Sequence, residues 1–91
     1  MRVRWSSTAA DDLVRIVEYI REDNALAARR IASAFFQSIA DLASMPGRGR
    51  VGRAEGTREL LLTRLPYIVV YEIIEDSVQI LRIRHAAQNW P

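Results

Sequence analysis

The chain has no cysteine and no lysine, and it holds a single histidine, His85. The lack of cysteine excludes disulfides and thiolate metal sites, and it suits a reducing cytoplasm. The lack of lysine makes all thirteen basic residues arginine. Arginine grips carboxylates and phosphates through paired hydrogen bonds but cannot act as a general base near neutral pH. Long apolar runs are missing too. No stretch approaches the ~20 residues of a membrane span, and Met1–Trp5 lacks the apolar core of a signal peptide. A cytoplasmic protein with no membrane partner is expected. No metal site and no cofactor are expected either. The adjacent acidic pairs Asp11-Asp12 and Glu75-Asp76 read as helix-dipole and hairpin residues.

What is present is enough for one small domain spanning residues 1–91. A chain of this size hides only roughly 60–65% of its unfolded surface, so a partner can matter to its stability. The net charge of +2 conceals an uneven distribution. Residues 46–64 carry five arginines against two glutamates, a net of +3, and residues 65–77 carry Glu72, Glu75 and Asp76 alone, a net of −3. Nucleic-acid binders show a stronger basic excess, so no sequence-specific DNA binding is expected. An acidic protein partner needs less.

The hydrophobic pattern lays out the elements. Arg2–Trp5 alternates charged and apolar residues, as a half-buried strand does. Ser6 or Ser7 then caps a helix whose apolar stripe is Ala9, Leu13, Ile16 and Ile20. Asp23-Asn24 breaks the chain and caps a second helix, Ala25 to about Ser44, with the stripe Ala28, Ile31/Ala32, Phe35, Ile39 and Leu42. The short connection makes the two helices an antiparallel hairpin. Met45-Pro46-Gly47 ends the second helix. The stretch "PGRGRVGRAEGT" reads as a glycine- and arginine-rich loop, either a flexible connection or a basic contact for phosphate or carboxylate. It is not a phosphate-binding P-loop, since no Gly-Lys-Ser/Thr ending is present.

Three strands follow: Arg58–Arg64, Tyr67–Ile74 and Val78–Arg84. Their short connections predict an antiparallel meander. The expected fold is therefore α+β, in the order strand, helix, helix, strand, strand, strand. A helical hairpin would pack on a mostly antiparallel four-stranded sheet. The strand Tyr67–Ile74 is apolar on both faces, and the helices can cover one. The other needs the chain's own tail or a partner. In the last strand, period-two geometry puts Arg82 and Arg84 on one face with Val78 and Ile80, and His85 on the opposite face. Arg82 and Arg84 could clamp a phosphate. His85 could act as a base, but no carboxylate orients it in the sequence, and a structural histidine at a strand end is the plainer reading. Tyr67 and Tyr71 read as packing residues.

The pieces "RVRWSSTAADDLVRIVEYI", "PGRGRVGRAEGTREL", "LPYIVVYEI" and "ILRIRHAAQNWP" stand in this order over nearly the whole chain. Together they make it resemble the ParE branch of the RelE/ParE toxin superfamily, also called plasmid stabilisation proteins. The resemblance implies a cytoplasmic toxin in a hetero-oligomer with an antitoxin, ParD-like or other, encoded beside it. In that family the antitoxin's C-terminal segment wraps the toxin and covers its groove. On this basis the antitoxin-binding residues are expected to be Tyr67, Ile68, Val70, Tyr71, Leu13 and Ile16.

The superfamily holds two activities. RelE-like members cut messenger RNA on the ribosome, and ParE-like members poison DNA gyrase. RelE-like nucleases carry lysines and an arginine on the meander strands. Here lysine is absent, Ile68 occupies the third-strand arginine position, and Glu59 and Leu61 occupy the second-strand positions. Those departures favour gyrase as target, bound through Arg82, Arg84, His85 and Trp90 with Arg58. The rival is an endoribonuclease using Arg58, Arg64, Arg82, Arg84 and His85. A toxin-like domain retained only for binding is the third reading.

Overall fold

The computed structural model describes residues 1–62 and 65–87. Strand β1 (Arg2–Trp5) leads into helix α1 (Ser7–Asp23) and helix α2 (Ala25–Ala40). Strands β2 (Arg50–Val51), β3 (Thr57–Leu61), β4 (Tyr67–Ile74) and β5 (Ser77–His85) follow. Among the described residues the sheet has five strands in the order β1-β5-β4-β3-β2. The α+β class holds, but the expected four-stranded sheet gains β2, drawn from what reads as a loop. Arg50 and Val51 pair antiparallel with Glu59 and Arg58 of β3. β1 runs parallel to β5, and the other pairs are antiparallel.

Both helices start where a short polar side chain replaces a missing helical acceptor. Ser6 Oγ accepts from the Ala9 amide, and Asn24 Oδ1 accepts from the Ala27 amide. The second helix stops at Ala40, earlier than expected. Asp41–Ala43 continues as a single 3₁₀ turn. The apolar stripes point where their spacing predicts. Ala9, Leu13, Phe35, Ile39 and Leu42 meet Leu60, Val69, Tyr71, Val78, Ile80 and Ile83 in one core. Burying each large aliphatic side chain in that core contributes about 1.5–3 kcal/mol.

The arginine-rich segment is not a free loop. The Gly49 amide donates to Tyr71 Oη at 2.8 Å, and that hydroxyl donates to the Pro46 carbonyl at 2.7 Å. Arg58 donates to the carbonyls of Gly49 at 2.8 Å and Gly47 at 3.3 Å. Tyr71 is thus more than packing: its ring sits in the core and its hydroxyl ties down the segment. Glycine is required at Gly49, because a Cβ there would lie 2.6 Å from Tyr71 Oη.

β5 departs from simple alternation. Val70 pairs with Arg82 and Tyr71 with Ile80, so Leu81 is an extra residue, a β-bulge. The bulge reverses the facing of everything after it. Val78, Ile80 and Ile83 all enter the core. Arg82 and Arg84 therefore lie on the face away from the helices, not beside Val78 and Ile80 as strict alternation requires. Their cross-strand neighbours there are Val70 and Ile68, which are buried. Arginine stems cover apolar surface of this kind. That accounts for part of the doubly apolar pattern of β4. Ile73 and Ile74, nearer the hairpin, stay exposed.

Candidate functional site

β1 ends at Trp5, opposite Ile80, so the outer edge of β5 continues without a strand beside it. Side chains from the start of α1 take over. The Ser6 amide donates to the Ile80 carbonyl at 2.9 Å, and Ser6 Oγ donates to the Leu81 carbonyl at 2.9 Å. Two turns on, Asp12 Oδ2 accepts the Ile83 amide at 2.8 Å in a buried hydrogen bond. Its other oxygen accepts from Arg15 at 3.3 Å. Asp12 is 8% exposed and lies in the second helical turn. The expectation that it serves the helix dipole is therefore corrected: it replaces a missing strand as the partner of β5.

Beyond this bridge, α1 and the end of β5 enclose a cleft of about 430 Å³. Its lining is Asp12, Arg15, Ile16 and Tyr19 from α1, Tyr67 from β4, and Arg82, Ile83, Arg84 and His85 from β5. The Tyr67 ring packs against Phe35 at 5.5 Å and meets His85 edge-on at 5.4 Å. Burial, with Tyr19 nearby, pushes the Tyr67 phenol above its ordinary value. His85 Nδ1 accepts from the Ala87 amide at 3.1 Å. In the neutral ring that hydrogen bond places the proton on Nε2 and occupies the basic nitrogen.

A second polar cluster backs the site. Glu59 is 3% exposed. Its carboxylate accepts from Arg50 at 3.1 Å and from the Arg53 amide at 3.1 Å, and it lies 3.7 Å from the Arg84 guanidinium. Burial alone would raise its pKa. The Arg53 amide, Arg50 and Arg84 outweigh that and hold the carboxyl below its ordinary value. Glu59 therefore links the β2 segment to the strand end that lines the cleft.

Of the residues expected to meet a target, Arg82, Arg84 and His85 come together at the cleft. Arg58 does not: its guanidinium is held by Gly47 and Gly49. Trp90, and Arg64 of the rival set, lie outside the described residues. Of those expected to meet an antitoxin, Ile16 and Tyr67 line the cleft. Leu13, Ile68, Val70 and Tyr71 are buried at 7%, 3%, 2% and 0% exposure. Sequence reasoning missed Asp12, Arg15, Tyr19 and Glu59 as site residues. A signal for the first three was present. Positions 12, 15, 16 and 19 share one helical stripe, flanking the apolar one. Among the described residues no cluster of His, Asp and Glu could hold a metal ion, and no helix is long and apolar enough to cross a membrane.

Comparison with known proteins bears on this geometry. The family model described as "ParE toxin of type II toxin-antitoxin system, parDE" matches residues 3–90. "Putative toxin Y4kP" of Sinorhizobium fredii is 42% identical over 90 residues, covering 99% of this chain and 93% of the relative. "Toxin RelE2" of Caulobacter vibrioides is 39% identical over 87 residues, covering 96% and 97%. Among solved structures, a chain of the chromosomal ParDE system from P. aeruginosa superposes with a TM-score of 0.85 at 26% identity, covering 93% of this chain and 95% of the other.

Proposed function

Because the chain belongs to the ParE toxin family of type II toxin–antitoxin systems, we propose that it inhibits DNA gyrase by binding it, and that a cognate antitoxin neutralises it by covering the α1–β5 cleft. The observation that carries the choice of target is how the strand-end polar groups are engaged. Arg84 lies against buried Glu59, and the basic nitrogen of His85 is taken up by the Ala87 amide. Phosphodiester cleavage needs a free base and cations that converge on the scissile phosphate. Ile68, where a nuclease of the superfamily would carry arginine, is buried. A contact surface asks less of these groups. Arg82 and His85 would meet the target at the end of β5, with Arg84 buried behind them at 5% exposure, and Ile16 and Tyr67 would meet the antitoxin.

The test is supercoiling of relaxed plasmid by purified gyrase with toxin added. Loss of supercoiling together with accumulation of cleaved DNA is expected. Undiminished supercoiling with no trapped DNA breaks sinks the assignment. The second reading, messenger-RNA cleavage on the ribosome, has the similarity to RelE2 in its favour. Primer extension after induction distinguishes it, since codon-positioned cuts appear only if that reading holds.

A further inference from the structure

Each edge of the sheet is a short strand that carries arginine. β2 places Arg50 at one edge, and β1 places Arg2 and Arg4 at the other. The β1 edge is the longer of the two. The Arg2 amide donates to the Asp76 carbonyl at 3.1 Å, and the Ser6 amide donates to the Ile80 carbonyl at 2.9 Å. Even-numbered residues thus turn their main chain toward β5. Alternation turns the N–H and C=O groups of Val3 and Trp5 the other way, to the side where no strand lies.

The two faces beside this edge differ in chemistry. On the face away from the helices, Arg2 and Arg4 are exposed and stand opposite Ser77 and Gln79. Among the described residues neither arginine forms an ion pair. The acids nearby do not satisfy them. Glu72 shares a row with Arg4 but lies two strands away, beyond Gln79. Asp76 meets Arg2 through its carbonyl. On the helix side, Trp5 packs on Phe36 of α2 with ring centroids 5.8 Å apart, and Phe36 is 56% exposed. The edge therefore offers backbone hydrogen bonds between a pair of cations and an aromatic wall.

We propose that β1 takes up an extended acidic segment of the toxin's target as an added strand. The segment's main chain pairs with Val3 and Trp5, its carboxylates face Arg2 and Arg4, and its apolar side chains pack on Trp5 and Phe36. This site rests on the gyrase-binding reading above and adds a second part to that contact. Continuity assigns it to the target: Arg82 lies on the same face as Arg2 and Arg4, on the adjacent strand, so one partner can span all three. A second copy of the chain is disfavoured. Pairing β1 with another β1, or with β2, sets arginine against arginine. A nucleic-acid backbone would bring phosphates against the outward carbonyls of Val3 and Trp5, and it would leave the strand's N–H groups and Phe36 unused. The register also sets a pattern. Facing residues alternate as β1 does, so a parallel segment reads acidic, apolar, acidic, apolar, and an antiparallel one reads the reverse.

The test has two arms. In the first, N-acetyl-Thr-Glu-Val-Glu-Val-Thr amide and its analogue with lysine for glutamate are titrated into ¹⁵N-labelled toxin and followed by NMR. The acidic peptide should shift the Val3 and Trp5 amides and slow their hydrogen exchange, and the lysine peptide should bind at least about tenfold more weakly. Equal binding of the two peptides, no shift at β1, or the same exchange protection from a DNA oligonucleotide overturns the proposal. In the second arm, the wild type, the double variant Arg2→Glu/Arg4→Glu, and Val3→Pro are compared in gyrase inhibition and in affinity for the antitoxin encoded beside the toxin gene. The arginines are exposed, and proline at Val3 removes only an outward amide, which an edge strand tolerates. Thermal melts verify that the variants fold. Both should need about tenfold or more toxin for half-inhibition of supercoiling, with antitoxin affinity changed less than about twofold. Val3→Ala keeps the amide and should inhibit as the wild type does. Unchanged inhibition by both variants, or lost antitoxin binding with inhibition intact, refutes the site. If the wild type fails to inhibit gyrase, the target reading fails instead, and the first arm still decides whether β1 accepts an acidic strand.

Discussion

Replacing Asp12 separates two physical accounts of one carboxylate. If Asp12 served the helix dipole, Asp12→Asn and Asp12→Ala would cost the same few tenths of a kcal/mol, because both remove the charge. If it is the acceptor for the Ile83 amide, the two differ. Asp12→Ala leaves a buried N–H without the partner it now meets at 2.8 Å. Losing a hydrogen bond to a charged acceptor costs about 1.5–3 kcal/mol. Arg15 also loses its partner at 3.3 Å. That pair is exposed on the arginine side and contributes only about 0.3 kcal/mol. A total near 2–3 kcal/mol corresponds to a fall of about 10–20 °C in Tm for a domain of this size. Asp12→Asn keeps an oxygen in place and should cost about 1 kcal/mol.

The assay is urea unfolding followed by circular dichroism. The midpoint should drop and the slope should stay constant, since the surface exposed on unfolding is unchanged. Hydrogen exchange at the Ile83 amide gives the local readout: protection should fall sharply in Asp12→Ala and persist in Asp12→Asn. Equal destabilisation by the two variants, or an Ile83 amide as protected in Asp12→Ala as in the wild type, refutes the bridging role.

The other anchors make comparable predictions. Glu59→Gln should destabilise the chain by about 2–4 kcal/mol, because it strips the carboxylate from a buried pair with Arg84. Glu59 is held below its ordinary value near 4.5, so its stabilising contribution is complete above that pH and is lost as pH falls through the lower folded value. The variant should therefore show a flatter stability profile below about pH 5, and a profile identical to the wild type would argue against the network. Tyr71→Phe removes the hydroxyl that holds both Pro46 and Gly49. It should cost about 1–3 kcal/mol and speed tryptic cleavage after Arg48, Arg50 and Arg53; unchanged proteolysis would count against the tether. Glu75 sits in the β4–β5 hairpin with φ of 54°, a conformation asparagine tolerates better. Glu75→Asn should raise stability by about 0.5 kcal/mol in the same unfolding assay, and a loss would show that the turn is not strained.

Much of the architecture is legible in the sequence because the information is local. The helix stripes at Ala9–Ile20 and Ala28–Leu42 and the caps at Ser6 and Asn24 depend on neighbours within a turn, and they fold as their spacing predicts. What was illegible depends on partners far along the chain. Arg50–Val51 has no strand pattern of its own, and it becomes a strand because Glu59 and Tyr71 hold the segment against β3 from the two faces of the sheet. Asp12 resists recognition for a related reason. Its partner is a backbone amide 71 residues away, and a backbone amide leaves no residue type to search for.

The register of β5 is a different case, because its signal is local to the strand's own sequence. In "VQILRIR" the adjacent apolar pair Ile80-Leu81 interrupts the alternation, and apolar residues resume at Ile83. Strict period two would carry Arg82 and Arg84 into a core already occupied by Val78 and Ile80. Burying two guanidinium groups there without carboxylates is far more costly than one extra residue in a strand. The bulge at Leu81 is the cheaper solution. It returns Ile83 to the core and sends Arg84 to the face where Glu59 waits. The same shift turns the Ile83 amide toward Asp12. One inserted residue thus sets the hydrophobic register, the internal ion pair and the wall of the cleft. Deleting Leu81 should disrupt all three together, where Asp12→Ala disturbs only the wall of the cleft and Glu59→Gln only the ion pair.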